Sequence, residues 1–196
     1  MVGYMTDFSG HLTLRGPGKN LPRKVINFMH GLNRTQRLAR NTDLLAKKCG
    51  ITRENAIDLF GPQGEFYFPV NEDMDPETIL DHNQHPDSQP GYHCGWHIPQ
   101  GTNRLEWDGK GEFYKSPEWL EYVVGKLAEM GVVANGKIMY KNNYEAGILV
   151  VTDNVFREEE RDNSSSWSSF VSSSPSPFSP SLPSASSTSP TSKFPR

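Results

Sequence analysis

The chain has 196 residues, 35% of them hydrophobic and 22% charged, with a net charge of −3, a composition that suits one globular domain of ordinary size. No apolar run approaches the ~20 residues of a membrane helix, and the opening MVGYMTDFSG has neither the basic nor the continuous apolar region of a signal peptide. Two cysteines, Cys49 and Cys94, are too few for a disulfide framework, so reduced thiols in a cytoplasmic protein are expected.

Taken in chain order, YMTDFSGHLTLRG alternates on either side of Ser9-Gly10 and predicts two short strands joined by a turn. Pro22 suits a first helical turn, and Val25, Met29 and Leu32 then recur at helical spacing. Thr42 and Thr52 are expected to cap two short helices that close at Gly50 and Gly61. GEFYFPV reads as a strand. A polar segment from Asn71 to Gly91 follows, long for a loop in a compact domain, with a helical turn at PETILDH.

YHCGWHI and NRLEWDG predict a hairpin. Ser116-Pro117-Glu118 begins a helix with a capping serine, and Trp119, Val123, Leu127 and Met130 form its apolar stripe. VVANGKIMY carries Asn-Gly, the signal of a hairpin turn. ILVVTDNVF is apolar on both faces and predicts one central strand. The whole is α+β: an antiparallel sheet of about six to seven strands with two main helices packed against it.

Charge is polarised along the chain. From Arg15 to Arg53 there are ten Lys or Arg and one acid, Asp43, whereas the remainder is acidic. Beyond the run REEERD, Asn163 to Arg196 holds sixteen serines and six prolines, too polar to offset the entropy of ordering. A single domain over 1–158 and a disordered Ser/Pro-rich tail over 159–196 are therefore expected. Four Ser-Pro pairs in that tail invite proline-directed phosphorylation, and Trp167, Phe170 and Phe178 are possible partner anchors.

The densest chemistry lies in Asp81–His97, DHNQHPDSQPGYHCGWH, which holds four of the six histidines and one cysteine. A zinc ion held by such groups needs convergent ligands. An extended segment opposes that: residues four apart lie on one face but ~13 Å apart, and neighbours face opposite ways. No metal and no cofactor are expected. The alternation instead turns Cys94, Trp96 and Ile98 to one face, opposite Leu105 and Trp107 on the next strand. Trp96 then pairs with Trp107, and His97 faces Glu106 on the other side, with Asp108 beyond. His97, Glu106 and Asp108 are thus the catalytic candidates, for a small hydrolase or transferase. Neither a paired nucleophile nor a phosphate-cradling glycine loop accompanies them.

The second candidate surface is basic. Arg34, Arg37 and Arg40 are three residues apart, and on a helix they would follow one another along a face, with Lys47 and Lys48 nearby. Such a cluster can meet nucleic-acid phosphates. The competing expectation is internal, with the arginines fixing neighbouring loops through carbonyls and carboxylates.

The strings GYMTDFSGHLTL, LNRTQRLAR, GPQGEFYF, QPGYHCGWHIP, LEWDGKGEFYKSPEWLEYVV and NGKIMY…GILVVTDN occur in this order. In that succession the chain resembles a family of small, uncharacterised proteins of bacterial and bacteriophage genomes. The resemblance extends to about Phe156. Cys94-x-Trp96 and Glu106-Trp107-Asp108 are its most specific part, while His93 and His97 fall outside it. No activity is established for that family, so the resemblance implies architecture only. Together these readings lead to the expectation of a non-enzymatic interaction module, an accessory protein of viral or mobile-element origin with a protein partner. Nucleic-acid binding through the basic segment 15–53 and catalysis on the Glu106 face are the alternatives.

Overall fold

The computed structural model describes residues 6–70, 74–142 and 144–161. The disorder, the phosphorylation pairs and the aromatic anchors expected beyond residue 161 lie outside the described residues. Six strands form one antiparallel sheet: β1 (Asp7–Arg15), β2 (Trp96–His97), β3 (Arg104–Trp107), β4 (Val133–Lys141), β5 (Ala146–Thr152) and β6 (Val155–Arg161). Their order across the sheet is β2-β3-β1-β4-β5-β6. Four helices accompany them: α1 (Arg23–Arg34), α2 (Thr42–Cys49), α3 (Arg53–Phe60) and α4 (Ser116–Glu129). The α+β class is thus established, and none of the described helices is long and apolar enough to cross a membrane.

Two helices supply most of the helical side of the core, as their periodicity predicts. α1 buries Val25, Phe28, Met29 and Leu32, and α4 buries Trp119, Leu120, Val123, Val124 and Leu127. They meet Leu12 and Leu14 of β1, Ile138 of β4 and Leu149 of β5 in one apolar cluster. At the β2–β3 end the cluster is aromatic. The Phe8 ring lies 5.3 Å from both Trp96 and Trp107, and Trp96 lies 5.2 Å from Phe113. Edge-on ring pairs of this kind favour one fixed arrangement.

Two expected turns are absent. Ser9-Gly10 and Asn135-Gly136 lie inside continuous strands, β1 and β4, which pair over their whole length from Asp7↔Lys141 to Arg15↔Val133. Gly10 and Gly136 have φ of 104° and 148°. A Cβ on Gly10 would stand 2.5 Å from the Lys137 carbonyl oxygen, and one on Gly136 2.5 Å from that of His11. The glycines are there because the two backbones approach closely and not because the chain reverses. The opposite error occurs in ILVVTDNVF, which is a hairpin. Asp153 and Asn154, at φ of 48° and 66°, form the two left-handed positions between β5 and β6, a conformation these side chains tolerate. β6 runs to Arg161, so the sheet takes in most of the charged run and passes the expected boundary at 158.

Helix ends differ in detail. Asn41, and not Thr42, caps α2, accepting from the Asp43 and Leu44 amides, while the Thr42 hydroxyl donates to the Pro62 carbonyl at 2.7 Å. Thr52 caps α3 as expected. Lys115 stands at the N-cap of α4, and Ser116 instead offers its carbonyl to the Trp96 indole at 3.1 Å.

GEFYFPV is not a strand. Its carbonyls are taken by a side chain. Arg37, 1% exposed, donates from Nη2 to the Glu65 and Tyr67 carbonyls at 2.9 and 3.1 Å, from Nε to Gln89 Oε1 at 3.2 Å and from Nη1 to the Thr35 hydroxyl. The guanidinium also lies over the Phe68 ring, 4.8 Å from its centroid. All four partners are neutral. Burial pulls this group down to about 10, so it is charged at neutral pH, and its charge is held by oriented dipoles and a ring face. Arg40, 3% exposed, repeats the device on the next turn of chain, donating to the Asp75 carbonyl at 3.0 Å and to the Thr78 hydroxyl at 2.6 Å. The long polar segment is thereby tied down with little regular structure: the expected helical turn is a 3-10 turn over Pro76–Thr78, and Ile79 forms a single bridge with Arg40.

Replacing Arg37 by lysine is expected to lower the free energy of unfolding by about 2–4 kcal/mol, because an ammonium cannot fork to four acceptors and leaves buried carbonyls unpaired. Arg37→Ala should cost at least as much. Urea midpoints at neutral pH give the comparison, and a lysine variant within about 0.5 kcal/mol of the parent would show that the fork is dispensable.

Candidate functional site

The hairpin forms in the expected register. Trp96 pairs with Trp107 and His97 with Glu106. Trp96 is fully buried, Trp107 packs on the core, and His97 and Glu106 turn to the other face. His97 Nε2 is 4.0 Å from Glu106 Oε1, with about a third of each side chain exposed. That separation is an ion-pair distance and exceeds a hydrogen bond, so the carboxylate does not orient the imidazole as a general base requires.

Asp108 has a different task. Its Oδ2 accepts from Asn33 Nδ2 at 2.9 Å, and its Oδ1 accepts from the Lys110 amide at 3.0 Å. Asn33 also donates to the Cys94 carbonyl at 3.1 Å. One amide side chain near the end of α1 therefore fastens both strands of the hairpin to that helix. Cys94 is buried, with its Sγ 3.9 Å from the Trp96 carbonyl oxygen. Burial pushes this thiol up to about 12, which removes it as a nucleophile at neutral pH. Among the described residues no group of three or more His, Cys, Asp and Glu side chains is placed to hold a metal ion.

The five basic candidates are not brought together. The helical face expected to carry Arg34, Arg37 and Arg40 does not exist, because α1 ends at Arg34 and the chain continues extended through Thr35. Arg37 and Arg40 point inward as described above. Lys48 pairs with Asp75 and, at 2.9 Å, with Glu77. These carboxylates raise the Lys48 ammonium above its ordinary value. Arg34 and Lys47 remain at the surface.

Arg34 and His97, nominated separately by the sequence, do meet. They line a groove of about 510 Å³ between α1 and the β2–β3 hairpin. Ile26, Met29 and Ile98 give it an apolar floor, and His30 and Lys110 join Arg34 and His97 on its rim. Two carboxylates border these groups: Asp108, which accepts from Asn33 and has Lys110 Nζ 3.8 Å from its Oδ2, and Glu106, 4.0 Å from His97. His30 and Lys110 went unread in the sequence. His30 precedes Arg34 by four residues, one helical turn, which is the signal that would have joined them. Lys110 stands in a turn between two glycines and has no periodicity to announce it.

The buried thiol gives a pH test. The unfolded chain ionises Cys94 near 9 and the folded chain only near 12. Stability from this group is therefore complete below pH 9 and is lost as pH rises toward 12, at no more than ~1.4 kcal/mol per pH unit. Urea unfolding at pH 8, 9 and 10 should show a steeper decline for the parent than for Cys94→Ala. Iodoacetamide at pH 8.5 should label Cys49, which is exposed, and spare Cys94 until denaturant is added. Equal native labelling of both thiols would contradict the burial.

Comparison with protein-family models, with curated proteins and with solved structures finds no match to this chain.

Proposed function

We propose that this domain is a non-enzymatic binding module whose α1–hairpin groove takes an acidic segment of a protein partner. The observation that carries the proposal is the composition of the groove: Arg34, Lys110, His30 and His97 around a floor of Ile26, Met29 and Ile98. Such a lining matches a chain segment with one or two aliphatic or aromatic anchors flanked by Asp and Glu. The groove walls are rigid because Asn33 fixes the hairpin to the helix, so little ordering is needed on this side of the interface.

Two other readings find less support. Catalysis on the Glu106 face lacks a nucleophile, since Cys94 is sealed, and lacks an oriented base, since His97 has no hydrogen-bonded carboxylate. Nucleic-acid binding through residues 15–53 loses Arg37 and Arg40, whose donors are spent on Thr35, Glu65, Tyr67, Gln89, Asp75 and Thr78. The other eight Lys and Arg of that segment are exposed, but Lys48 and Arg53 are paired with acids and the chain carries a net charge of −3, which weakens phosphate-led affinity.

Fluorescence polarisation with a labelled Asp/Glu-rich peptide bearing leucine and phenylalanine anchors tests this directly. Binding is expected at low salt, weakened as salt rises, and reduced about tenfold or more by the double reversal Arg34→Glu, Lys110→Glu. A labelled single-stranded oligonucleotide should bind more weakly than the peptide. Tighter oligonucleotide binding, or a peptide affinity untouched by the double reversal, would overturn the assignment.

A further inference from the structure

At the start of α4 lies a second cavity, independent of the groove and about 540 Å³ in volume. Pro90, Gly91, Tyr92, Tyr114 and Trp119 wall it, and His85, His93, Glu112 and Lys115 contribute its polar groups. A volume of this size, apolar and aromatic with few polar groups, is what small-molecule sites have.

One donor in its wall is unused. Trp119 is fully buried, and its indole Nε1 finds no hydrogen-bond partner among the described residues. Buried donors left without an acceptor are rare in native proteins. Trp96, also fully buried, donates to a carbonyl, whereas the Trp107 Nε1 is likewise without a partner among the described residues but lines neither this cavity nor the groove. The place of Gly91 matters here. A Cβ at that position would stand 3.6 Å from Trp119 Nε1, and its absence leaves the N–H bordered by a residue that itself lines the cavity.

The local field favours an anion. The cavity sits at the N-terminus of a 14-residue helix whose N-cap, Lys115, is held at φ 54° and makes no side-chain capping bond. Helix dipole and ammonium therefore act in the same direction. The single carboxylate in the lining, Glu112, accepts from the Tyr114 hydroxyl and keeps its charge, and Glu118 stands in the first turn, so Lys115 and the helix end act against these two acids. His85 is turned to the Pro86 carbonyl and stacked edge-on against Tyr92, with ring centroids 5.2 Å apart.

We propose that this cavity is a binding site for a small planar aromatic carboxylate. Its ring packs on the tyrosine and proline walls, one acceptor oxygen takes the Trp119 indole proton, and the negative charge faces Lys115 and the start of α4. The aromatic ring is matched to the aromatic residues of the lining, and the acceptor to the unpaired indole. The charge follows from the lysine and the helix end.

The test uses the full chain and 2-naphthoate as probe, followed by the indole ¹H–¹⁵N resonances of the four tryptophans, with Trp119 assigned by Trp119→Phe. The expected result is a saturable shift of the Trp119 signal with a Kd of about 1 mM or tighter, while the Trp107 signal stays put. Gly91→Ala places its methyl in ordinary contact with Nε1 and covers the donor without a clash, so it should weaken binding about tenfold. Lys115→Gly, which suits the left-handed backbone, should do the same by removing the charge. Should Trp119→Phe fail to fold, Gly91→Ala serves both for assignment and for the affinity comparison. An unmoved Trp119 signal at about 10 mM probe, or an equal affinity in Gly91→Ala, overturns the site. Equal binding of 2-naphthylmethanol, which has no charge, or an unchanged affinity in Lys115→Gly, overturns the carboxylate.

Discussion

A single guanidinium organises the half of this domain that has no sheet. Arg37 is nearly inaccessible, yet it carries a full charge among neutral partners. Burying a charge costs several kcal/mol unless its donors are all used. Four guanidinium hydrogen bonds are made here, to the Thr35 hydroxyl, the Glu65 and Tyr67 carbonyls and the Gln89 side chain. Gln89 passes the connection on: its Nε2 donates to Glu65 O at 2.9 Å and to the Tyr122 hydroxyl at 3.3 Å. The end of α1, the segment after α3, the approach to the hairpin and the middle of α4 thus share one network. Its members stand or fall together, because removing one leaves several buried groups unpaired.

The same constraint decides where two arginines of the basic segment point. A row of arginines in an otherwise acidic chain reads as a surface for phosphates, and its spacing fits a helical face. The helix stops at Arg34, before the other two arginines. After Arg34 the chain is extended, and the arginines at 37 and 40 turn inward to polypeptide carbonyls. Charge patterning in sequence counts cations without saying whether their donors are spent, and here two of the five candidates are spent on the fold itself.

Local and pairwise features were legible from sequence. The apolar stripes of α1 and α4, the Thr52 cap and the Trp96–Trp107 register all follow from spacings within a few residues or from one cross-strand match. The failures share a cause. Gly10 and Gly136 look like turn residues because glycine serves both turns and close backbone approach, and only the pairing of β1 with β4 decides between them. GEFYFPV alternates like a strand, but its hydrogen-bond partner is a side chain 28 residues earlier. Asp153-Asn154 turns between two apolar runs that read as one. The groove was half visible, as Arg34 in one segment and His97 in another. Their meeting depends on Asn33 reaching across to Asp108, a contact 75 residues apart in sequence.

That contact also limits what the hairpin side chains can do together. Catalysis at the hairpin would need His97, Glu106 and Asp108 to converge on a reacting atom, and the fold instead gives Asp108 to Asn33 and leaves His97 at ion-pair distance from Glu106. Both concave sites are built from elements fixed to the same interior: the groove through Asn33, and the cavity through the segment that Gln89 and the Tyr92 carbonyl bind to Arg37. Walls held in this way do not have to be ordered when a ligand arrives, so more of the contact energy appears as affinity. The basic groups on the rim of the groove and the buried, unpaired indole beside the cavity are polar groups that the Arg37 network does not take up.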